Sequence, residues 1–289
     1  MTTLLSVPNL SEGRDRQLID VIARAFDARL LDVHFDPDHH RAVVTIAGAP
    51  GQLAPAVLDG AREVVRRVEL DRHQGEHPRI GALDVAPIVY LADGDRGAAC
   101  AEALVLGDLL GSELELPVFL YGELAAGRSR AELRRGGPSA LAERIASGEL
   151  HPDFGPRWLH ATAGAVLVGA RPPLVAFNVE LAAPATLADA KAIAAAIREG
   201  GREGLASVRA IGLSLQSRGV AQISMNVEDY RRTRLAAVVE AIARHAEISE
   251  AELVGLAPQA AFEGFPSGLN VRGLQTIEDA LSAAPRPAH

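Results

Sequence analysis

The chain has 289 residues, of which 48% are hydrophobic and 23% charged, with a formal net charge of −8 and a single cysteine. This describes a globular protein with a sizeable core, and it holds no apolar run of about 18 residues able to span a membrane. The acidic balance, without a basic block or aromatic–basic interleaving, argues against nucleic acid as a partner, and one cysteine makes no internal disulfide.

The opening MTTLLSVPNLSEGR carries no basic segment before its apolar stretch, so a secretory signal is not expected and a cytoplasmic location is. Thr3 to Pro8 reads as a short strand, with Ser11 offering a cap for a following helix. Leu18, Ile19, Ile22, Ala25 and Phe26 share one helical face over residues 15–29. Strands follow at Leu30 to His34 and Arg41 to Gly48, with the turn-forming DPDHH between them. A helix over 52–69 and a strand from Leu83 to Leu91 complete this run. Residues 95–170 add a helix (95–113), a strand (Leu116 to Tyr121), a helix near 138–149 and a strand (Gly164 to Gly169).

The order then recurs. Pro173 to Glu180 is a strand and 186–199 an alanine-rich helix. Val208 to Gln216 and Val220 to Val227 are strands joined at Ser217-Arg218-Gly219, followed by a helix over 231–246 and a strand from Glu252 to Leu256. The end, SAAPRPAH, has no apolar periodicity and reads as frayed. Strand–helix–strand–strand–helix–strand, twice, predicts an α+β fold of two βαββαβ-type lobes, with mixed sheets facing each other and helices on the outside. Pro172-Pro173 suggests a boundary, giving subdomains 1–171 and 172–289.

RHQGEHPRIGALD, residues 72–84, is the stretch richest in chemistry. His73-Gln74-Gly75-Glu76-His77 has the letters of an H-x-x-E-H zinc motif, but that chemistry needs a helix to bring both imidazoles to one side. Gly75 inside it and Pro78 directly after it oppose a helix, so the segment reads as a loop leading into the strand at Leu83. Read alone, it is a solvated turn or the seat of a general base. An imidazole titrates near neutral pH, and Glu76 or Asp84 is available to orient it. DPDHH also has metal-ligand letters, which turn chemistry explains more simply.

Several dispersed blocks, in order, decide between these. VPNLSEGR (7–14), DRHQGEHPRIGALDVAP (71–87), Leu120-Tyr121-Gly122-Glu123, Asp153-Phe154-Gly155-Pro156 with Gly169-Ala170-Arg171, Ala176-Phe177-Asn178, VAQISMN (220–226) and Leu253-Val254-Gly255-Leu256 are the blocks concerned. Together they resemble the glutamate formiminotransferase (formimidoyltransferase) family, over roughly residues 7–262.

The resemblance implies transfer of a formimino group between N-formimino-L-glutamate and tetrahydrofolate, in histidine degradation and one-carbon metabolism. The family's active-site histidine lies in GEHP, which is His77 here. Its folate-binding stretch follows DFG and ends at a glycine. That maps onto Gly155, Pro156, Arg157, Trp158, Leu159, His160, Ala161, Thr162, Ala163 and Gly164, where Trp158 is either a stacking surface or a core aromatic, and His160 either a ligand contact or a loop residue. Both substrates carry carboxylates, so Arg14, Arg41, Arg79 and Arg171 are candidate binders, with Asn9 and Glu76 as polar companions. No metal is implied, and the family suggests a homodimer.

Two departures stand out. Where animal members have an aspartate after LLDV, this chain has His34, with Asp36 and Asp38 nearby to compensate. The animal proteins also carry a cyclodeaminase domain, for which 289 residues leave no room, so that step is expected of another protein. Transfer of formyl from N-formylglutamate and non-catalytic folate binding are the alternatives.

Overall fold

The computed structural model of the chain describes residues 2–70, 73, 78–215 and 217–284. They form two compact units, meeting in sequence at Pro172 and Pro173.

The first unit runs β1 (Leu4–Ser6), β2 (Asn9–Leu10), α1 (Arg16–Ala25), β3 (Arg29–Asp36), β4 (Arg41–Gly48), α2 (Leu53–Arg67), β5 (Leu83–Tyr90), α3 (Arg96–Glu113), β6 (Val118–Leu120), α4 (Arg130–Arg134), α5 (Gly137–Ala146) and β7 (Val166–Arg171). Its sheet is ordered β1-β4-β2-β5-β7-β6, with β3 outside β4. The strand expected over Thr3 to Pro8 is β1 alone, ending at Ser6, and a second short strand, β2, follows Pro8; each pairs with both β4 and β5. Pro8 has no N–H for the ladder, which breaks the strand there. Ser11 does not cap α1. Its hydroxyl donates to the Gly81 carbonyl at 2.7 Å, while Asp15 caps by accepting from the Leu18 N–H at 2.9 Å. The N-terminus of α2 is capped from outside: the buried Glu102 carboxylate on α3 accepts from Gly51 and Ala54 at 2.5 and 2.7 Å.

Strand alternation sorts the core into two faces. Val166, Val168 and Ala170 pack with the apolar sides of α1, α2 and α3, while Leu167, Phe119 and Val85 pack with Leu133 of α4 and Leu141 and Ile145 of α5. The sheet is mixed, because β7 runs parallel to both β5 and β6.

The second unit runs β8 (Val175–Leu181), α6 (Leu187–Ile197), β9 (Val208–Leu215), β10 (Val220–Val227), α7 (Leu235–Ala243), β11 (Ile248–Val254), β12 (Val271–Arg272) and α8 (Ile277–Ser282). Its sheet is ordered β12-β11-β8-β10-β9, antiparallel except for β11 with β12. Phe177, Val179, Ile223, Met225 and Leu253 point to the side covered by α6 and α7. Two mixed sheets with helices make this the expected α+β fold. Among the described residues no helix is long and apolar enough to cross a membrane.

Candidate functional site

Asp84, on β5 and 1% exposed, organises one corner of the first unit. One carboxylate oxygen accepts the Ile80 N–H at 2.8 Å; the other faces Arg41 Nη2 at 3.4 Å and pairs with Arg134 of α4. Such a buried carboxylate is stable only with its lone pairs met by donors. Arg41 begins β4, and its Nε and Nη2 both donate to Asn9 Oδ1, at 3.0 and 2.6 Å; Asn9 is held in turn through Nδ2 on the Val7 carbonyl at 2.7 Å. Burial pushes the Arg41 guanidinium down to about 9; Asp84 opposes this, while Arg134 and Arg130 reinforce it as like charges. It stays cationic at neutral pH. Asn9 and Arg41 therefore come together as a hydrogen-bonded pair. Asp84 and Arg134 complete the cluster, although Arg134 has no motif around it to mark it out.

The second cluster centres on Glu12. Its carboxylate accepts the N–H groups of Arg14 and Asp15 at 2.7 and 3.0 Å and lies 3.2 Å from His40 Nε2. His40, at φ +50, stacks on His73 with ring centroids 4.1 Å apart. His73 is 8% exposed, and its Nε2 donates to the His40 carbonyl at 2.6 Å. Burial, with Arg79 and His40 as like charges, brings its pKa down to about 4, so the ring is neutral at pH 7. Arg79 Nη2 donates to the His73 carbonyl at 2.7 Å. His73 has no regular secondary structure, and its Nε2 is committed to a carbonyl. Glu76 and His77 lie outside the described residues.

Residues 155–164 form the third part. His160 and Gly164 exchange two backbone hydrogen bonds, at 2.9 and 3.0 Å, around a tight turn. His160 Nδ1 accepts from the N–H groups of Thr162 and Ala163, so that nitrogen serves the turn. The turn is fixed on both flanks of the histidine-bearing segment. Leu70 N–H donates to the Thr162 carbonyl at 2.9 Å, Ala82 N–H to Ala163 at 2.8 Å, and Ala165 N–H to Ile80 at 3.0 Å. Gly81 and Gly164 meet where no side chain fits: a Cβ on Gly81 would sit 1.8 Å from the Ala165 oxygen, and one on Gly164, at φ +70, 2.3 Å from the Ile80 oxygen. Trp158 is 66% exposed, so the core-aromatic reading fails and its ring is available to a ligand. Gly155, Arg157, Ala161 and Thr162 are exposed, Pro156 and Leu159 half-buried, and Ala163 buried.

The remaining candidates have the following contacts. Arg14 is exposed, with Nε on the Pro37 carbonyl at 3.1 Å; Arg171 ends β7 with Nη1 on the Pro172 carbonyl at 3.0 Å. His34 sits half-buried on β3 opposite Val43. Asp36 is engaged by the His39 N–H at 2.8 Å, which anchors the β3–β4 turn. Among the described residues no group of three or more His, Cys, Asp or Glu is placed to hold a metal ion.

Comparison with known proteins agrees along the chain. Residues 3–171 match the family model for the formiminotransferase domain, N-terminal subdomain, and 176–264 that for the formiminotransferase domain. The formimidoyltransferase-cyclodeaminase of Sus scrofa is 40% identical over 271 residues, covering 87% of this chain and 49% of that protein. The glutamate formimidoyltransferase of Thermoplasma acidophilum is 36% identical over 277 residues, 90% of each chain. That of Streptococcus pyogenes is 34% identical over 264 residues, covering 87% of this chain and 88% of its own. The chain thus spans about half the length of its animal relatives and most of the microbial ones.

Proposed function

The chain belongs to the formiminotransferase domain family, and from that premise we propose that it transfers a formimino group between N-formimino-L-glutamate and tetrahydrofolate. The observation that carries the reading is the attachment of residues 160–165 to Leu70 and to Ile80–Ala82. It brings the stretch aligned with folate binding against both flanks of the segment that contains His77.

In this mechanism a tetrahydrofolate nitrogen attacks the formimino carbon and a tetrahedral adduct forms. The bond to the glutamate nitrogen then breaks. His77 takes the proton from the attacking nitrogen and returns it to the departing one. Holding both substrates side by side supplies much of the remaining rate. Trp158 offers a face for the pterin or benzoyl ring. Arg41, fixed by Asn9 and Asp84, offers a guanidinium to a substrate carboxylate. The family resemblance supports a homodimer acting in the cytoplasm, which light scattering and fractionation check.

The test is a spectrophotometric assay with tetrahydrofolate and formiminoglutamate, with N-formylglutamate in parallel. His77→Ala is expected to lose about 10²–10⁴-fold in kcat while folate binding persists. A variant as active as the wild type sinks the role of His77. Faster turnover of the formyl donor changes the group transferred.

A further inference from the structure

Arg134 sends Nη2 to Asp84, and its Nε is buried with no hydrogen-bond partner among the described residues. Tyr121, directly after β6 and 5% exposed, buries its hydroxyl in the same condition. The two belong to one corner. Leu133, beside Arg134 on α4, packs in the same cluster as the Tyr121 ring. Arg130, one helical turn before Arg134, holds its guanidinium 5.6 Å from that ring's centroid. Gly169 makes room for the ring, since a Cβ there would lie 2.9 Å from it.

A buried donor left without an acceptor weakens a fold, and natural structures keep few such groups. Here two donors occur together, of the types that grip a carboxylate: a planar guanidinium fork and a hydroxyl. Arg134 and Arg130 act as like charges on the buried Arg41, a repulsion that an incoming anion would relieve. Asp84 does not compete for the idle donors. Its oxygens are taken by Ile80, Arg41 and Arg134, and it fixes the plane of the Arg134 fork.

We infer that Arg134 and Tyr121 bind a glutamyl carboxylate of a substrate. The inference rests on the formiminotransferase reading, under which both substrates carry that group, on the donor itself or on the glutamate tail of the folate.

The experiment uses the intact chain with Arg134→Met and Tyr121→Phe. KM and kcat are measured for formiminoglutamate against its α- and γ-amide analogues, and for tetrahydrofolate against tetrahydropteroate, which lacks the tail. Arg134→Met is expected to raise KM for one carboxylate-bearing substrate by about 10- to 100-fold, the loss of one charge-assisted pair. Its kcat stays near wild type, and the variant no longer distinguishes that substrate from the uncharged analogue. The affected arm identifies the donor or the tail as the source.

Tyr121→Phe removes a hydroxyl that makes no hydrogen bond among the described residues, and is expected to raise the same KM about three- to tenfold. It decides the matter alone should Arg134→Met fail to fold. A variant that discriminates as the wild type does, or loses charged and uncharged substrates equally, overturns the inference. Wild type without turnover sinks the formiminotransferase reading instead. Calorimetric binding of formiminoglutamate and of tetrahydrofolate to wild type and Arg134→Met then tests the carboxylate site by itself: weaker binding of either to the variant upholds it, and equal binding of both ends it.

Discussion

Each unit carries charged side chains on a sheet face, and the two arrange them oppositely. In the first, the Asp84 carboxylate draws in Arg41 and Arg134, and burial lowers the Arg41 pKa to about 9. In the second, Glu180, Glu250 and Glu252 surround two guanidiniums. Arg272 reaches all three, at 2.5, 2.6 and 3.3 Å, and Arg218 pairs with Glu180 and Glu250. Burial works against the Arg272 charge, yet the three carboxylates outweigh it and raise its pKa. Asn178 closes the network on Glu252 at 2.9 Å. Gln222, across from Glu180, is an exception, buried with neither amide atom bonded among the described residues. A network dense in carboxylates neutralises its cations internally and suits a structural role. A corner where guanidiniums crowd one carboxylate suits an anionic ligand.

The comparison breaks most visibly at the two central carboxylates. Asp84→Ala leaves guanidiniums uncompensated in a mostly buried corner, and is expected to cost about 3–5 kcal/mol. Glu180→Ala strands cations that are each 38% exposed. Solvent screens them, so its loss is expected at no more than about 2 kcal/mol. Urea unfolding of both variants checks this, and equal losses would erase the distinction.

A pH series sharpens the picture of the first unit. The His73 pKa falls from 6.5 to about 4 on folding. Between those values the unfolded chain takes up a proton that the folded ring refuses. Stability therefore falls as pH drops from 6.5 towards 4, by roughly 3 kcal/mol over the whole window. His73→Gln keeps a donor for the His40 carbonyl and should flatten that part of the profile. Urea midpoints at pH 7 and 4.5 measure it, and an unchanged slope would clear His73 of the effect.

The smallest effect on stability is expected at Trp158, because its ring is 66% exposed. Trp158→Ala should shift stability by no more than about 0.5 kcal/mol. Loss of a stacking contact should raise KM for tetrahydrofolate about two- to tenfold. A large stability loss with unchanged KM would make the ring structural.

The long, periodic elements were legible from the sequence, since α1, α2, α3, α6 and α7 bury faces with helical spacing. The short α4, β12 and α8 were not, because five, two and six residues carry too little periodicity. Ser129 and Glu132 do form a capping box that marks the start of α4. β11 begins at Ile248, earlier than its apolar residues suggest, because Glu250 and Glu252 face the arginine network. Within the candidate site, the motif blocks contained Asn9, Gly155 and Pro156, while Arg41 and residues 157–164 were singled out through what the family resemblance implies. Arg134 stayed hidden in RAELRR, which reads like any charged helix surface until the fold turns it onto Asp84.

The placement of β6 has a consequence for the order of synthesis. It borders the first sheet through β7, so residues 118–120 leave the ribosome well before the strand that will hold them. Phe119 waits uncovered while α4 and α5 are made. β9 and β10, by contrast, close as a hairpin as soon as Val227 emerges. The first unit should thus complete its sheet only as translation passes into the second, and a pause before Arg171 would prolong the exposure of that apolar edge.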